Sequence, residues 1–94
     1  MDIFKVILSK QAERDLKKIP QHIKIKLAAW IDDVGDSGLR EARKISGYHD
    51  EPLKGSREGQ RSIRLSKQYR AIYVAQERQK TVFVEIVEVN KHEY

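Results

Sequence analysis

The alternation of apolar and polar positions divides the first third of the chain into one strand and two helices. Ile3–Leu8 is short, apolar and partly β-branched, which is typical of a strand. Two stretches with helical spacing follow: Lys10–Ile19, which ends at Pro20, and residues 23–34, which have the strongest helical period in the chain. The apolar positions of the second stretch are Ile23, Leu27, Trp30, Ile31 and Val34. The pattern predicts a helical hairpin with Trp30 in its core.

The second half of the chain has the shorter periods of a β-sheet. Three strands are predicted at Gln60–Leu65, Tyr69–Ala75 and Thr81–Val89, with turns at residues 66–68 and 76–79. The last strand is apolar at both odd and even positions, which is typical of a strand buried on both faces. We therefore expect it to lie centrally in the sheet.

The segment between the helices and these strands is less clearly patterned. Gly38–Asp50 fits either one short helical turn or a loop, and Pro52 favours an extended conformation at Glu51. The order β-α-α-β-β-β predicts an α+β fold, with the helical hairpin packed on one face of a mainly antiparallel sheet. The 94 residues allow one domain, residues 1–94. The other face of the sheet is then free for function.

Positive charge is concentrated in one short segment of this sheet. Residues 54–70 contain a single acid, Glu58, and six basic side chains: Lys54, Arg57, Arg61, Arg64, Lys67 and Arg70. The resulting +5 equals the net charge of the whole protein, because the other 77 residues carry 13 basic and 13 acidic side chains. Such a segment suits a partner rich in phosphate or carboxylate, although it also fits a solvated basic surface.

Composition excludes several kinds of site. The chain has no cysteine, which rules out disulfides, thiolate zinc sites and cysteine nucleophiles. Its longest apolar stretch is short and carries Glu85 and Glu88, and its N-terminus lacks the pattern of a signal peptide. We therefore expect a cytoplasmic protein without a membrane partner.

The connection between the second and third strands decides which way the arginines face. A three-residue connection at 66–68 pairs Leu65 with Tyr69 and Arg64 with Arg70, on the open face away from the helices. Ile63, Leu65, Ala71 and Tyr73 then face the helices, while Ser62 and Ile72 share the open face. A two-residue turn at 67–68 would separate the arginines, but it lacks the Gly or Asn-Gly residues that such turns favour. We therefore expect both arginines on the same face. Arginines on opposite faces would contradict joint binding of one phosphate.

The stretch from Glu51 to Tyr94 resembles a known family. It contains EPLKG, then Gly59, then SIRLSKQYRAIY, a final strand and a His-x-Tyr end. This pattern resembles the RelE/ParE superfamily of bacterial toxins, particularly its HigB and YoeB-like members. The resemblance covers nearly half of the chain, and the preceding strand and helices agree with that fold in order.

The resemblance implies the toxin of a type II toxin–antitoxin system. Such a toxin is a ribosome-dependent endonuclease that cuts A-site mRNA without a metal or other cofactor. The 2′-OH of the mRNA attacks the adjacent phosphate, and the 5′-oxygen leaves. Its expected partners are a cognate antitoxin, the ribosome and mRNA, with DNA contacted only through the antitoxin. Two other functions stay open: a ParE-like toxin that inhibits DNA gyrase, and a non-catalytic basic module that binds nucleic acid.

The resemblance also implies roles for individual residues. The positions matching family residues implicated in catalysis or phosphate binding are Glu51, Lys54, Arg64, Arg70, His92 and Tyr94. Cleavage needs a base, an acid and positive charge at the phosphate, so Glu51 is a candidate base or orienting group and His92 a candidate acid. Arg57 and Arg61 are candidate contacts to RNA phosphates.

Some of these residues also have a structural alternative. Lys54 could be a solvated turn residue, Glu51 could pair with a nearby lysine, and Arg70 could pair with Glu85 across the hairpin. The two remaining histidines, His22 and His49, have no motif support and are expected to be surface residues.

Overall fold

The predicted α+β architecture is confirmed by a computed structural model, which describes residues 3–91. The strands are β1 (Ile3–Leu8), β2 (Glu51–Pro52), β3 (Arg61–Arg64), β4 (Tyr69–Arg78) and β5 (Thr81–Lys91). The helices are α1 (Lys10–Leu16), α2 (Gln21–Ser37) and α3 (Leu39–Ala42), and single 3₁₀ turns lie at Ser46–Tyr48 and Gly55–Arg57. The sheet order is β1-β5-β4-β3-β2, and within it the β1–β5 pair is parallel while the other three pairs are antiparallel.

The hydrophobic core lies between the helices and one face of this sheet. Trp30 is fully buried and packs on Tyr73 of β4, with ring centroids 4.9 Å apart and a tilt of 47°. The helices contribute Ala12, Ile23, Leu27, Trp30 and Val34, and the sheet contributes Ile63, Ala71, Tyr73, Val84, Ile86 and Val89. The predicted core position of Trp30 is therefore confirmed. In the described part of the chain, no helix combines the length and apolarity needed to cross a membrane.

The central position predicted for the last strand is confirmed, because β5 lies between β1 and β4. The strand is apolar at both odd and even positions for a different reason than burial on both faces. Tyr73 pairs with Ile86 but Ile72 pairs with Glu88, so β5 carries a bulge that shifts its alternation by one residue. The bulge brings Val89 onto the same buried face as Ile86. The strand therefore buries apolar residues of both parities against the helices.

The ends of the helices differ from the predicted ones. The first helix ends at Leu16 rather than at Ile19, because the following residues form a tight turn before Pro20. Pro20 is the N-cap of α2, and its carbonyl accepts hydrogen bonds from the backbone N–H groups of Ile23 and Lys24. The short helical turn allowed for the segment after Gly38 is present as α3.

The second hairpin is longer than predicted. The strand predicted at Tyr69–Ala75 is β4, and it extends to Arg78. Its turn is therefore reduced to Gln79 and Lys80, with Gln79 in a left-handed conformation at φ 56°. The first hairpin has the predicted length.

The end of α2 depends on Gly38. Its backbone has φ 86° and ψ 161°, a region open almost only to glycine, and its N–H bonds to the carbonyl of Val34. A Cβ at this position would lie 3.1 Å from Cζ of Phe4. In contrast, Gly35 lies inside the helix with open space around it.

These two glycines predict substitutions of opposite sign. Gly38→Ala should lower the free energy of unfolding by about 1–3 kcal/mol, through backbone strain and crowding against Phe4. Gly35→Ala should raise it by about 0.5–1 kcal/mol, because alanine loses less backbone entropy in a helix. Urea unfolding followed by Trp30 fluorescence measures both. Destabilisation by Gly35→Ala, or none by Gly38→Ala, would contradict this account of the helix end.

Candidate active site

Arg64 and Arg70 lie directly opposite each other on β3 and β4, as the three-residue connection predicted. The N–H of Leu65 donates to the carbonyl of Tyr69 over 2.9 Å and closes the hairpin. Ser66 orders the connection, because its Oγ accepts hydrogen bonds of 3.1 Å from two backbone N–H groups, those of residues 68 and 69. Both arginines therefore occupy the open face of the sheet.

A solvent-open pocket surrounds this pair. It has a volume of about 110 Å³ and is lined by His49, Glu51, Ser62, Ile63, Arg64, Ser66, Lys67, Tyr69 and Arg70. Three cationic side chains line it against one carboxylate. The pocket is therefore suited to an anion.

Arg70 is held by a neutral group. Its Nε donates to Oδ1 of Asn90 over 3.2 Å, whereas the alternative partner Glu85 lies opposite Val74, farther along the sheet. Within residues 3–91 no carboxylate forms a salt bridge with Arg70. Among these residues, none therefore neutralises its positive charge.

Glu51 and His49 lie next to each other in the pocket. Glu51 pairs with Ser62 across β2 and β3, which places it on the same open face as the arginines. Its Oε2 lies 3.5 Å from Nε2 of His49, and it has this histidine rather than a lysine as its partner. His49 adopts a left-handed conformation at φ 47°. It is exposed as expected, but its place in the pocket was not predicted. The one feature of the sequence that indicates this place is its position two residues before Glu51.

The basic residues of the loop before β3 lie outside the pocket. Arg57 forms an ion pair with Glu88 of β5 and donates from Nε to Oε1 of Gln60 over 2.8 Å. Glu88 is the partner of Ile72, which faces the open side as predicted but is fully buried. Lys54 is exposed at the start of the 3₁₀ turn and does not line the pocket.

Arg61 lies on the opposite face of the sheet from Arg64. It pairs with Tyr73, and its Nε donates to Oδ1 of the fully buried Asp50 carboxylate over 2.6 Å. Burial opposes the charge of Arg61, but the hydrogen bond and charge of Asp50 outweigh it and raise the pKa of Arg61. The structure therefore does not bring Arg61 together with the other candidate residues.

The Tyr73 hydroxyl completes this buried network. It donates to Oδ2 of Asp50 over 2.6 Å and accepts a longer bond of 3.4 Å from Nε of Arg43. Burial, and then the hydrogen bond to Asp50, raise the pKa of Tyr73 to about 12.

Two predicted residues, His92 and Tyr94, lie outside the described residues. Between Ile3 and Lys91 there is no group of three or more His, Cys, Asp or Glu side chains that could hold a metal ion.

Comparison with known proteins identifies the family. Residues 6–93 match the model of the ParE toxin of type II toxin–antitoxin system, parDE. The chain belongs to this toxin family. The resemblance to the RelE/ParE superfamily is therefore confirmed. A comparison with curated proteins gives no match.

Solved structures share the fold at low sequence identity. YafQ from E. coli strain BL21(DE3) is 18% identical with a TM-score of 0.75, over 94% of this chain and 92% of that chain. A YoeB/ParE toxin from Agrobacterium tumefaciens is 19% identical with a TM-score of 0.69, over 95% and 99%. A chain of the E. coli DinJ–YafQ toxin–antitoxin complex is 21% identical with a TM-score of 0.70, over 94% of this chain and 91% of that chain. The RelE-like fold of this toxin is thereby confirmed.

The raised pKa of Tyr73 predicts the stability of this toxin in alkali. Its folded pKa of about 12 exceeds the ordinary value of 10.0, so its contribution is complete below pH 10 and is lost as the pH rises towards 12. The contribution amounts to roughly 2–3 kcal/mol. In Tyr73→Phe, the free energy of unfolding should therefore fall less steeply between pH 9.5 and 11.5 than in the wild type.

Urea unfolding at a series of pH values measures this difference. Tyr69→Phe is the control, because within residues 3–91 the Tyr69 hydroxyl forms no hydrogen bond, so its alkaline slope should match the wild type. An unchanged slope in Tyr73→Phe would contradict the buried bond to Asp50.

Proposed function

We propose that this toxin is an endoribonuclease that cuts mRNA on the ribosome in the cytoplasm, with the scissile phosphate bound in the open-face pocket. The observation that carries the proposal is the direct pairing of Arg64 with Arg70 in the same pocket as Glu51 and His49. The HigB and YoeB-like pattern of residues 51–94 supports the same activity.

The two arginines supply the positive charge that phosphate cleavage requires. A guanidinium group stays protonated, is planar and binds two phosphate oxygens at once. Two such groups side by side can contact both non-bridging oxygens as negative charge develops on them. Lys67, on the connection between β3 and β4, adds a third cation at the rim of the pocket.

Glu51 and His49 supply groups for proton transfer. Glu51 takes the proton of the 2′-OH. As it does so, the 2′-oxygen of the RNA bonds to phosphorus, and the bond from phosphorus to the 5′-oxygen breaks. The departing 5′-oxygen needs a proton, and a histidine can carry one near neutral pH. His49 lies 3.5 Å from Glu51 and suits this role. His92 as general acid and Tyr94 as a substrate contact stay predictions from the resemblance.

The remaining basic residues have supporting roles. Lys54 is exposed and Arg57 is half-exposed, and both contribute to the attraction of RNA phosphates. Arg61 has a structural role in this proposal, because it is engaged by Asp50 on the other face.

A cognate antitoxin is the proposed protein partner. The fold is shared with a YafQ that forms a complex with DinJ, which supports such a partner. We expect acidic residues of the antitoxin to cover the basic segment 54–70, or the antitoxin to displace the C-terminal residues.

Inhibition of DNA gyrase is the second candidate function. It is favoured by one observation, since the matching family model is that of the ParE toxin. It does not account for a pocket that combines two arginines with a carboxylate and an imidazole, and for this reason RNA cleavage is the preferred proposal.

The pocket predicts how arginine substitutions affect cleavage. After brief induction, primer extension on cellular mRNA should show cuts at ribosome-positioned codons. Arg70→Ala should reduce cutting by about 10²–10³-fold, the usual loss when one group stabilising the transition state is removed. The matched control is Arg78→Ala, an exposed arginine on the same strand and face but outside the pocket, which should cut like the wild type.

Two outcomes would contradict the proposal. Equal cutting by Arg70→Ala and the wild type would exclude the pocket as the catalytic site. DNA breaks that depend on gyrase, without mRNA cuts, would favour the second candidate function.

A further inference from the structure

Asp50 separates the two proton-transfer candidates along the chain but faces away from them. Successive residues of an extended segment point to opposite faces of a sheet. Glu51 shares the open face with Ser62, whereas the Asp50 side chain reaches Arg61 and Tyr73 on the helix side. The same short segment therefore presents groups to the pocket and anchors itself in the core.

The anchor is strong because the carboxylate is buried and fully paired. The Asp50 side chain has 0% exposure, and each of its oxygens accepts one hydrogen bond of 2.6 Å. Its donors, Arg61 and Tyr73, lie on neighbouring strands of the sheet, and Arg43 at the end of α3 bonds to the Tyr73 hydroxyl. A buried charge keeps its position when its partners are this well arranged.

The anchor matters because the strand that carries Glu51 is short. Only two residues of β2, Glu51 and Pro52, pair with β3. His49 has φ 47° and ψ 51°, a left-handed conformation that is uncommon for residues other than glycine, although histidine adopts it more often than most. Its side chain is 59% exposed, so packing around the imidazole does not enforce this conformation.

We propose that Asp50 is a positioning residue, which holds His49 and Glu51 beside each other in the pocket. Its bonds to Arg61 and Tyr73 fix the backbone between the two side chains. The catalytic consequence rests on the proposed function, whereas the geometric one does not. Neither Arg64 nor Arg70 bonds to Asp50, so phosphate binding should not depend on it.

Two variants weaken the anchor in different ways. Asp50→Asn removes the charge at nearly constant volume, and Tyr73→Phe removes one of the two hydrogen bonds but keeps the ring against Trp30. Ser9→Ala is the stability control, because it removes the cap of α1 without contacting residues 49–51. Thermal unfolding of all three checks that each variant is folded.

The geometric readout is independent of activity. In the wild type, nuclear Overhauser contacts should join the imidazole of His49 to the side chain of Glu51. They should disappear in Asp50→Asn, weaken at least twofold in Tyr73→Phe and persist in Ser9→Ala. Persistence in both anchor variants would overturn the proposal. Loss of the contacts in a toxin that cuts no RNA would support the positioning role and refute the proposed function.

The kinetic readout uses single-turnover cleavage of ribosome-bound mRNA. Asp50→Asn should lower the cleavage rate by about 10–100-fold with less than a twofold change in the half-saturating toxin concentration, and Ser9→Ala should change neither. Adding His49→Ala to Asp50→Asn should lower the cleavage rate only slightly further, because both changes disrupt the same arrangement of His49 and Glu51. Fully multiplicative losses, or a loss in Asp50→Asn that matches Ser9→Ala, would overturn the proposal.

Discussion

The pairing of Arg64 with Arg70 across β3 and β4 is the constraint on which the open face depends. A three-residue connection fixes this register and directs both guanidinium groups to the side without helices. Like charges placed directly opposite each other on a sheet destabilise it, by roughly 0.2–1 kcal/mol. Asn90 supports Arg70 without neutralising it. A bound anion would remove this repulsion, which supports the proposal that this face binds a phosphate.

The two faces of the sheet have different roles, and the bulge in β5 determines which residues lie on each face. It lets Ile86 and Val89 pack against the helices, while Glu88 is left on the open face for Arg57. The buried Asp50 connects the two faces, because it anchors in the core the segment that carries Glu51. The core and the pocket are therefore coupled through a few polar bonds.

Much of the fold followed from residue patterns. Strand alternation, together with the lack of residues that favour a two-residue turn, placed Arg64 and Arg70 on one face. Helical spacing was enough to bury Trp30. The bulge was not predictable, because a shift in alternation resembles a strand with two apolar faces. The helical spacing ended at residue 34, whereas α2 continues to Ser37, since Gly35 is tolerated inside the helix and Gly38 provides the cap.

The pocket was only partly predictable. Glu51, Arg64 and Arg70 were expected together, and the structure brings them together. His49 was missed because its place depends on a left-handed backbone that no short motif announces. The same parity rule that paired the arginines also directs Arg61 to the other face, but charge clustering alone had grouped it with them.

The proposed function requires that Arg64 and Arg70 hold the phosphate at which mRNA is cut. The most direct measurement is a cryo-EM structure of this toxin on a ribosome whose mRNA carries a 2′-O-methyl group at the cleavage position, which blocks attack. The account predicts the adjacent phosphate within hydrogen-bonding distance of both guanidinium groups, with Glu51 facing the blocked 2′-oxygen. A phosphate bound on another face, or an RNA chain that bypasses the pocket, would contradict it.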